Sequence, residues 1–135
     1  MLVVDASAML DAIAAREPAL ELPERLSEDG DLHAPELIDV EILRALRRLR
    51  IRKEITAERA ADVRTDFAET SLLRYPHEPL SDRIWELCHH LSAYDAAFVA
   101  LAEALDAPLV TCDARLAHAG GHGAYIELFE PALFY

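Results

Sequence analysis

The sequence predicts an α/β fold, a mainly parallel central sheet flanked by helices, and three observations carry that expectation. Short runs, LVVD after Met1 and PLVTCD after Ala107, each begin apolar and end at an acid, which suits strands buried on both faces of a parallel sheet. Longer stretches with apolar residues at helical spacing lie between such runs. The two kinds of segment alternate along the whole chain. At 135 residues, with no linker, repeat or low-complexity stretch, the chain is expected to form a single domain over 1–135.

Taken in order, LVVD is the first strand, and Ser7 is placed to cap a helix beginning near Ala8. Pro18 and Pro23 limit the next helix, which should end near Gly30. LHAP is at best a brief strand. PELIDVEILRALRRL is a helix with Ile38, Ile42, Ala45, Leu46 and Leu49 as its apolar stripe. A second helix starts near Thr56 and puts Ala60, Val63 and Phe67 on one face. TSLLRYP suits a strand. Ser81 then caps a helix with Ile84, Leu87, Cys88 and Leu91 inward. YDAAFVALAEAL follows, its core face formed by Phe98, Leu101, Ala102 and Leu105. PLVTCD is a buried strand, DARLAHA a short helix and AYIELF a last strand. The apolar tail EPALFY is expected to dock on the body or on a partner.

Composition narrows the classes. Just over half the residues are apolar, which disfavours disorder, and no apolar stretch approaches the roughly 18 residues that span a bilayer. The N-terminus has no cationic leader, so a cytoplasmic location is expected. Cys88 and Cys112 form no CxxC pair and lie near no histidines at ligand spacing, so they read as small buried hydrophobes. A nucleophilic Cys112 is the sharper alternative, but strand alternation turns it away from Thr111 and Asp113. His89 and His90 are adjacent and point apart on a helix, which makes them poor joint ligands. A net charge of −12 argues against nucleic-acid binding through the overall field. The charge is segregated, however. Six of thirteen basic residues lie in RALRRLRIRK, namely Arg44, Arg47, Arg48, Arg50, Arg52 and Lys53, with no acid among them.

Asp5 and Asp113 both follow a strand, and the ligand crevice of a parallel α/β sheet lies beyond the carboxyl ends of its strands. Either residue also suits a helix N-cap. Asp95 faces the same contest, because Ser92-Ala93-Tyr94-Asp95 fits a capping box. A carboxylate in a first helical turn can do both jobs. Glu41 lies at the shoulder of its helix's apolar stripe, with Arg44 three residues on as an ion-pair partner. Helical geometry alone does not choose among Glu36, Asp39 and Glu41 as a cleft residue.

Four segments carry a resemblance: VVDAS, ELIDVEILRALRR, LSAYDAAFVALAEAL and PLVTCDARLA. In order and spacing they are similar to the four acidic motifs of PIN-domain ribonucleases, and more narrowly of the VapC toxins of bacterial toxin–antitoxin pairs. The match runs from the first strand past Asp113. It implies a PIN-like fold and an acidic quartet, Asp5, Glu41, Asp95 and Asp113, acting as catalytic and metal-ligating residues. It also implies an endoribonuclease that is a toxin held inactive by a cognate antitoxin, and a homodimer. Cys112, before the last aspartate, departs from many relatives without touching the acids.

If the four acids converge, electrostatics demands a cation. Two carboxylates ~5 Å apart repel by about 3 kcal/mol even at an effective dielectric of 20. A surface arginine offsets only about 1 kcal/mol. All-oxygen ligands favour Mg2+ or Mn2+ over zinc, and such a site suits hydrolysis of an RNA phosphodiester. Ser7 and Thr111 could reach the metal shell or the phosphate, or serve as a helix cap and a strand-end hydroxyl. Arg115 could steady a phosphate or lie at the surface. Arg44, Arg47 and Arg48 could follow the substrate backbone, dock an acidic segment of the antitoxin, or form a solvated helix face.

Rival enzymes fail at named residues. A haloacid-dehalogenase-type phosphatase needs an aspartate where Ser7 stands, and a receiver domain needs a late lysine, whereas Lys53 is the only one. No GxxxxGK or GxGxxG motif occurs. The remaining alternative is a catalytically inactive PIN-like binding module that acts through protein or RNA contacts.

Overall fold

The computed structural model describes residues 1–15 and 21–133. Its strands are β1 (Leu2–Val4), β2 (Leu32–Pro35), β3 (Leu73–Tyr75), β4 (Leu109–Thr111) and β5 (Ile126–Leu128). Its helices are α1 (Ala6–Ala14), α2 (Glu21–Asp29), α3 (Ile38–Ile51), α4 (Ala57–Glu69), α5 (Ser81–Leu87), α6 (Ala93–Leu105) and α7 (Ala114–His118). The strands form one sheet in the order β3-β2-β1-β4-β5, and every neighbouring pair is parallel. The α/β expectation with a parallel sheet is met.

That strand order fixes where a ligand can sit. Parallel neighbours need right-handed crossovers. Connections from β1 to β2 to β3 run one way across the sheet and those from β3 to β4 to β5 run back, so their helices cover opposite faces. α1, α3 and α4 pack together, while α6 lies across β1, β2 and β4 with α5 against it. The direction reverses between β1 and β4, which pair through Val3–Leu109 and Val4–Val110. A crevice opens beyond their carboxyl ends, at the switch point.

The core explains the apolar runs. Leu2, Val3, Val4, Leu109 and Val110 are fully buried in the central strands, as a sheet covered on both faces requires. Ile38, Ile42, Leu46 and Leu49 bury one stripe of α3, and Val63 and Phe67 one stripe of α4. Ala96 to Ala102 are all buried, so α6 is the central helix of its layer. The edge strands β3 and β5 are only partly covered. Among the described residues no helix is long and apolar enough to cross a membrane.

Several local readings are corrected. Asp5, not Ser7, is the N-cap of α1: its Oδ1 accepts from Ala8 N at 2.9 Å, and the helix begins at Ala6. An aspartate one step after a strand outcompetes a serine two residues later, because its carboxylate already reaches the free amides. Ser81 does not cap α5 either. Leu80 stands at that position without a side-chain bond, and the Ser81 hydroxyl turns back to the His77 carbonyl. α5 stops at Leu87, so His89 and His90 lie in the turn beyond it rather than on a helix, both exposed. Pro23 sits in the first turn of α2, where its missing N–H costs nothing. Pro18 lies outside the described residues.

The described part of the tail docks on the body, and Phe134 and Tyr135 lie outside the described residues. Ala132 N and Leu133 N each donate to Asp11 Oδ1 at 2.9 Å. Asp11 is fully buried in α1.

Candidate active site

Four helix N-termini point at the switch-point crevice, and each brings a carboxylate. Asp5 is the N-cap of α1 and Asp113 the N-cap of α7. Glu41 and Asp95 lie in the first turns of α3 and α6. Each helix dipole favours its acid. The capping readings and the cleft readings of Asp5, Asp95 and Asp113 are therefore both satisfied. All four acids line one open cleft of about 1010 Å3, together with Arg44, Arg48, Arg115 and Ser7. The choice left open on α3 is now made by position. Asp39 is engaged by Arg74 in a bidentate pair at 2.7 and 2.9 Å, which ties α3 to β3, and Glu36 is exposed outside the cleft lining.

Asp5 is the deepest of the four, at 7% exposure. Its Oδ1 accepts from Ser7 Oγ at 2.7 Å as well as from Ala8 N, and its Oδ2 accepts from Thr111 Oγ1 at 2.5 Å. The two hydroxyls are themselves oriented by the backbone: Cys112 N donates to Ser7 Oγ and Asp113 N to Thr111 Oγ1, both at 3.0 Å. Ser7 and Thr111 thus hold Asp5 across the β1–β4 junction. Even so, burial pushes the Asp5 carboxyl up to about 6, against the pull of these bonds, and the Asp113 charge adds to the rise. Asp95 is raised too, first by burial and then by Asp113.

Asp113 accepts from Arg115 N at 2.9 Å and pairs with the Arg115 guanidinium at 3.2 Å. Arg115 is 91% exposed, at the rim. Glu41 lies 3.9 Å from Arg44. The Asp95 amide donates to Ser92 Oγ at 3.2 Å. Cys112 is buried, and burial followed by the Asp11 and Asp5 charges pushes its thiol up to about 12. It stays protonated at neutral pH, which removes the nucleophile alternative.

Asp5, Glu41 and Asp113 each have a side-chain donor or cation of their own beside them. Among the described residues, no three His, Cys, Asp or Glu side chains are gathered where one ion could take them together. Four carboxylates jointly gripping a single ion is therefore not the arrangement seen. The donor chemistry nevertheless fits a hard cation. The cleft offers carboxylate oxygen, and burial together with the Asp113 charge raises two of its acids, a cost that a bound cation would offset.

Sequence reasoning missed three cleft residues. Tyr94 is exposed beside Asp95, and His90 and His118 also line the cleft. His118 Nδ1 lies 2.6 Å from the Ala114 carbonyl. His90 packs on Gly121, whose φ of +83° suits glycine and whose missing Cβ would stand 2.3 Å from His90 Cδ2. His118, one turn after Ala114, was traceable from helical spacing. His90 reaches the cleft from an irregular turn, which no periodicity signals.

A doubly wound parallel sheet with an acidic cleft at its switch point defines the class. The PIN domain model matches residues 2–121, and the chain belongs to the PIN domain family. Its relatives sharpen this to the VapC type. Ribonuclease VapC1 of Mycobacterium tuberculosis is 41% identical over 127 residues, covering 93% of this chain and 96% of the relative. Ribonuclease VapC12 of the same species is 37% identical, covering 95% and 98%. VapC ribonuclease Mb0985 of Mycobacterium bovis is 44% identical, covering 89% and 91%. Among solved structures, that of VapBC2 from Rickettsia felis bound to a DNA fragment from their promoter aligns with a TM-score of 0.63 at 12% identity, over 94% of this chain and 97% of that one. PAE2754 from Pyrobaculum aerophilum aligns with a TM-score of 0.56 at 23% identity, over 85% and 81%. These two likenesses speak to the fold.

Proposed function

We propose that this chain is an Mg2+- or Mn2+-dependent endoribonuclease and the toxin of a toxin–antitoxin pair, with Asp5, Glu41, Asp95 and Asp113 as its catalytic acids. The observation that carries the reading is the arrival of these acids from four helix N-termini in one cleft bordered by Arg44, Arg48 and Arg115. The relatives named as ribonucleases support the activity. Mg2+ commonly binds through one or two carboxylates and completes its shell with water and phosphate. That mode needs no joint grip by three acids, and Asp5 and Asp113 across the β1–β4 junction are the residues to hold the ion, with Asp95 and Glu41 reaching it directly or through water. When bound, the ion supplies charge that eases ionisation of water and neutralises phosphate oxygens.

The chain's own residues do the rest. Ser7, Thr111 and Ala8 N fix the Asp5 carboxylate. Asp95, whose affinity for protons is raised, would take the proton as water attacks phosphorus; one P–O ester bond breaks and the leaving oxygen takes a proton from solvent. Arg44 and Arg48 hold backbone phosphates, which gives affinity without sequence information. Arg115 is suited to steady a phosphate once it leaves Asp113. The proposal extends to a cognate antitoxin that covers the cleft and to a homodimer, on the strength of the VapC relationship.

A second reading, a catalytically inactive PIN-like module acting through RNA or protein contacts, is favoured by the local pairing of Asp5, Glu41 and Asp113. Two assays separate them. Cleavage of RNA that requires Mg2+ or Mn2+ and falls about 100-fold or more in Asp5→Asn supports the nuclease, and equal cleavage in chelator rules it out. Expression without antitoxin should arrest growth, and Asp95→Asn should relieve the arrest. Undiminished arrest in that variant would mean the acids are not the toxic principle.

A further inference from the structure

The docked tail that borders the acidic cleft also borders a second groove. Leu133 lines both. The second groove, of about 780 Å3, has Leu49 and Ile55 in its lining and carries three cations: Arg50, Lys53 and Arg59. Among the described residues Glu54 is the only carboxylate lining it.

These cations are held ready rather than neutralised. Arg50 Nη1 donates to the Ile55 carbonyl and Arg59 Nη2 to the Ile13 carbonyl, both at 2.9 Å. Carbonyl partners fix a guanidinium without cancelling its charge. Among the described residues none of the three pairs with a carboxylate, whereas Arg25, Arg74, Arg83 and Arg115 all do. In a chain of net charge −12, unpaired cations clustered on one groove stand out. Helix electrostatics accounts for part of the cluster, since Arg50 and Lys53 lie at the carboxyl end of α3. It does not account for Arg59, which sits in the first turn of α4, at the end that favours anions. α3 joins the two grooves. Arg44 and Arg48 border the acidic cleft, and Arg50 lies about 9 Å further along α3 from Arg44 at the helical rise.

We propose that the second groove is a phosphate-binding subsite through which single-stranded RNA continues from the acidic cleft, past Leu133, onto Arg50, Lys53 and Arg59. The ligand rests on the ribonuclease reading; the groove and its unpaired charges do not.

The test compares a 4-nucleotide with a 12-nucleotide RNA, using the full chain and its Arg50→Gln/Lys53→Gln/Arg59→Gln variant. Glutamine keeps donors for the two carbonyls while removing charge. Binding is read by anisotropy with Ca2+ present, and cleavage with Mg2+. The wild type should bind the longer RNA more tightly. The variant should lose that length advantage, by on the order of 100-fold at 0.1 M salt, and its plot of log affinity against log salt should flatten by about 2. It should still cleave the 4-nucleotide RNA at the wild-type rate, which also reports that it has folded. Wild-type affinity of the variant for the longer RNA overturns the inference, including the case where the groove instead serves a protein partner. Absence of cleavage by the wild type, with the length advantage and its loss intact, strikes the nuclease reading and leaves the groove standing.

Discussion

Asp5 pays twice for its position, first in desolvation and then in repulsion from Asp113. Its carboxyl is held at about 6 in the folded protein against 3.8 ordinarily. Between those values the folded chain keeps a proton that the unfolded chain has released. Its contribution to stability is therefore present below about 4, falls as pH rises to about 6, and stays lost above. The loss is on the order of 3 kcal/mol, an upper figure for a buried group. In chelator at pH 7.5, Asp5→Asn should accordingly raise the melting temperature, while with Mg2+ present it should cut cleavage about 100-fold or more. The gap between variant and wild type should close as pH falls toward 4. Comparing the two cancels opposing groups such as Glu103, whose carboxyl is lowered chiefly by Arg83. A variant that melts below the wild type at pH 7.5 would show that Asp5 is there as a cap. Thr111→Val removes the hydrogen bond that most lowers the Asp5 carboxyl, and it should cut the cleavage rate with little change in far-UV circular dichroism.

At the scale of elements, helices do two jobs at the cleft, and that is why part of it was legible. LVV and LVT had to be buried strands, and an acid placed just after such a strand is either a cap or a ligand. The structure makes Asp5 and Asp113 caps that also face the cleft, so neither sequence reading excluded the other. α3 was readable from its stripe, but the choice of Glu41 over Asp39 depended on Arg74, thirty-five residues away from Asp39 and invisible to helical spacing. The caps misassigned to Ser7 and Ser81 share a cause. A hydroxyl near a helix start is compatible with capping, yet the backbone path decides whether it can reach a free amide. α6 offers a test of its own termini. Asp106 ends it in the left-handed region, at φ +50°, where glycine is less strained. Asp106→Gly should stabilise the protein by about 0.5–1 kcal/mol in chemical denaturation. Leu101→Ala, which empties a core position on the same helix, should cost about 2–5 kcal/mol.

For the whole molecule, topology rather than composition sets the site. A net charge of −12 pointed away from nucleic acid, yet the fold gathers acids at the switch point and leaves cations on α3 and α4 beside it. An RNA strand would meet a local field opposite to the global one, so its binding should weaken steeply with salt despite the acidic chain. That segregation was visible in RALRRLRIRK. The contribution of Arg59 was not, because it comes from the next helix. The central claim is that the four gathered acids work as one catalytic unit with a divalent ion. It is tested most directly by single-turnover RNA cleavage during an Mn2+ titration of wild type, Glu41→Gln, Asp95→Asn and Asp113→Asn. The account predicts a saturable dependence on Mn2+ for the wild type and a rate loss of about 100-fold or more in each folded variant. A wild-type rate that ignores Mn2+, or variants that cleave as fast as the wild type, would contradict it.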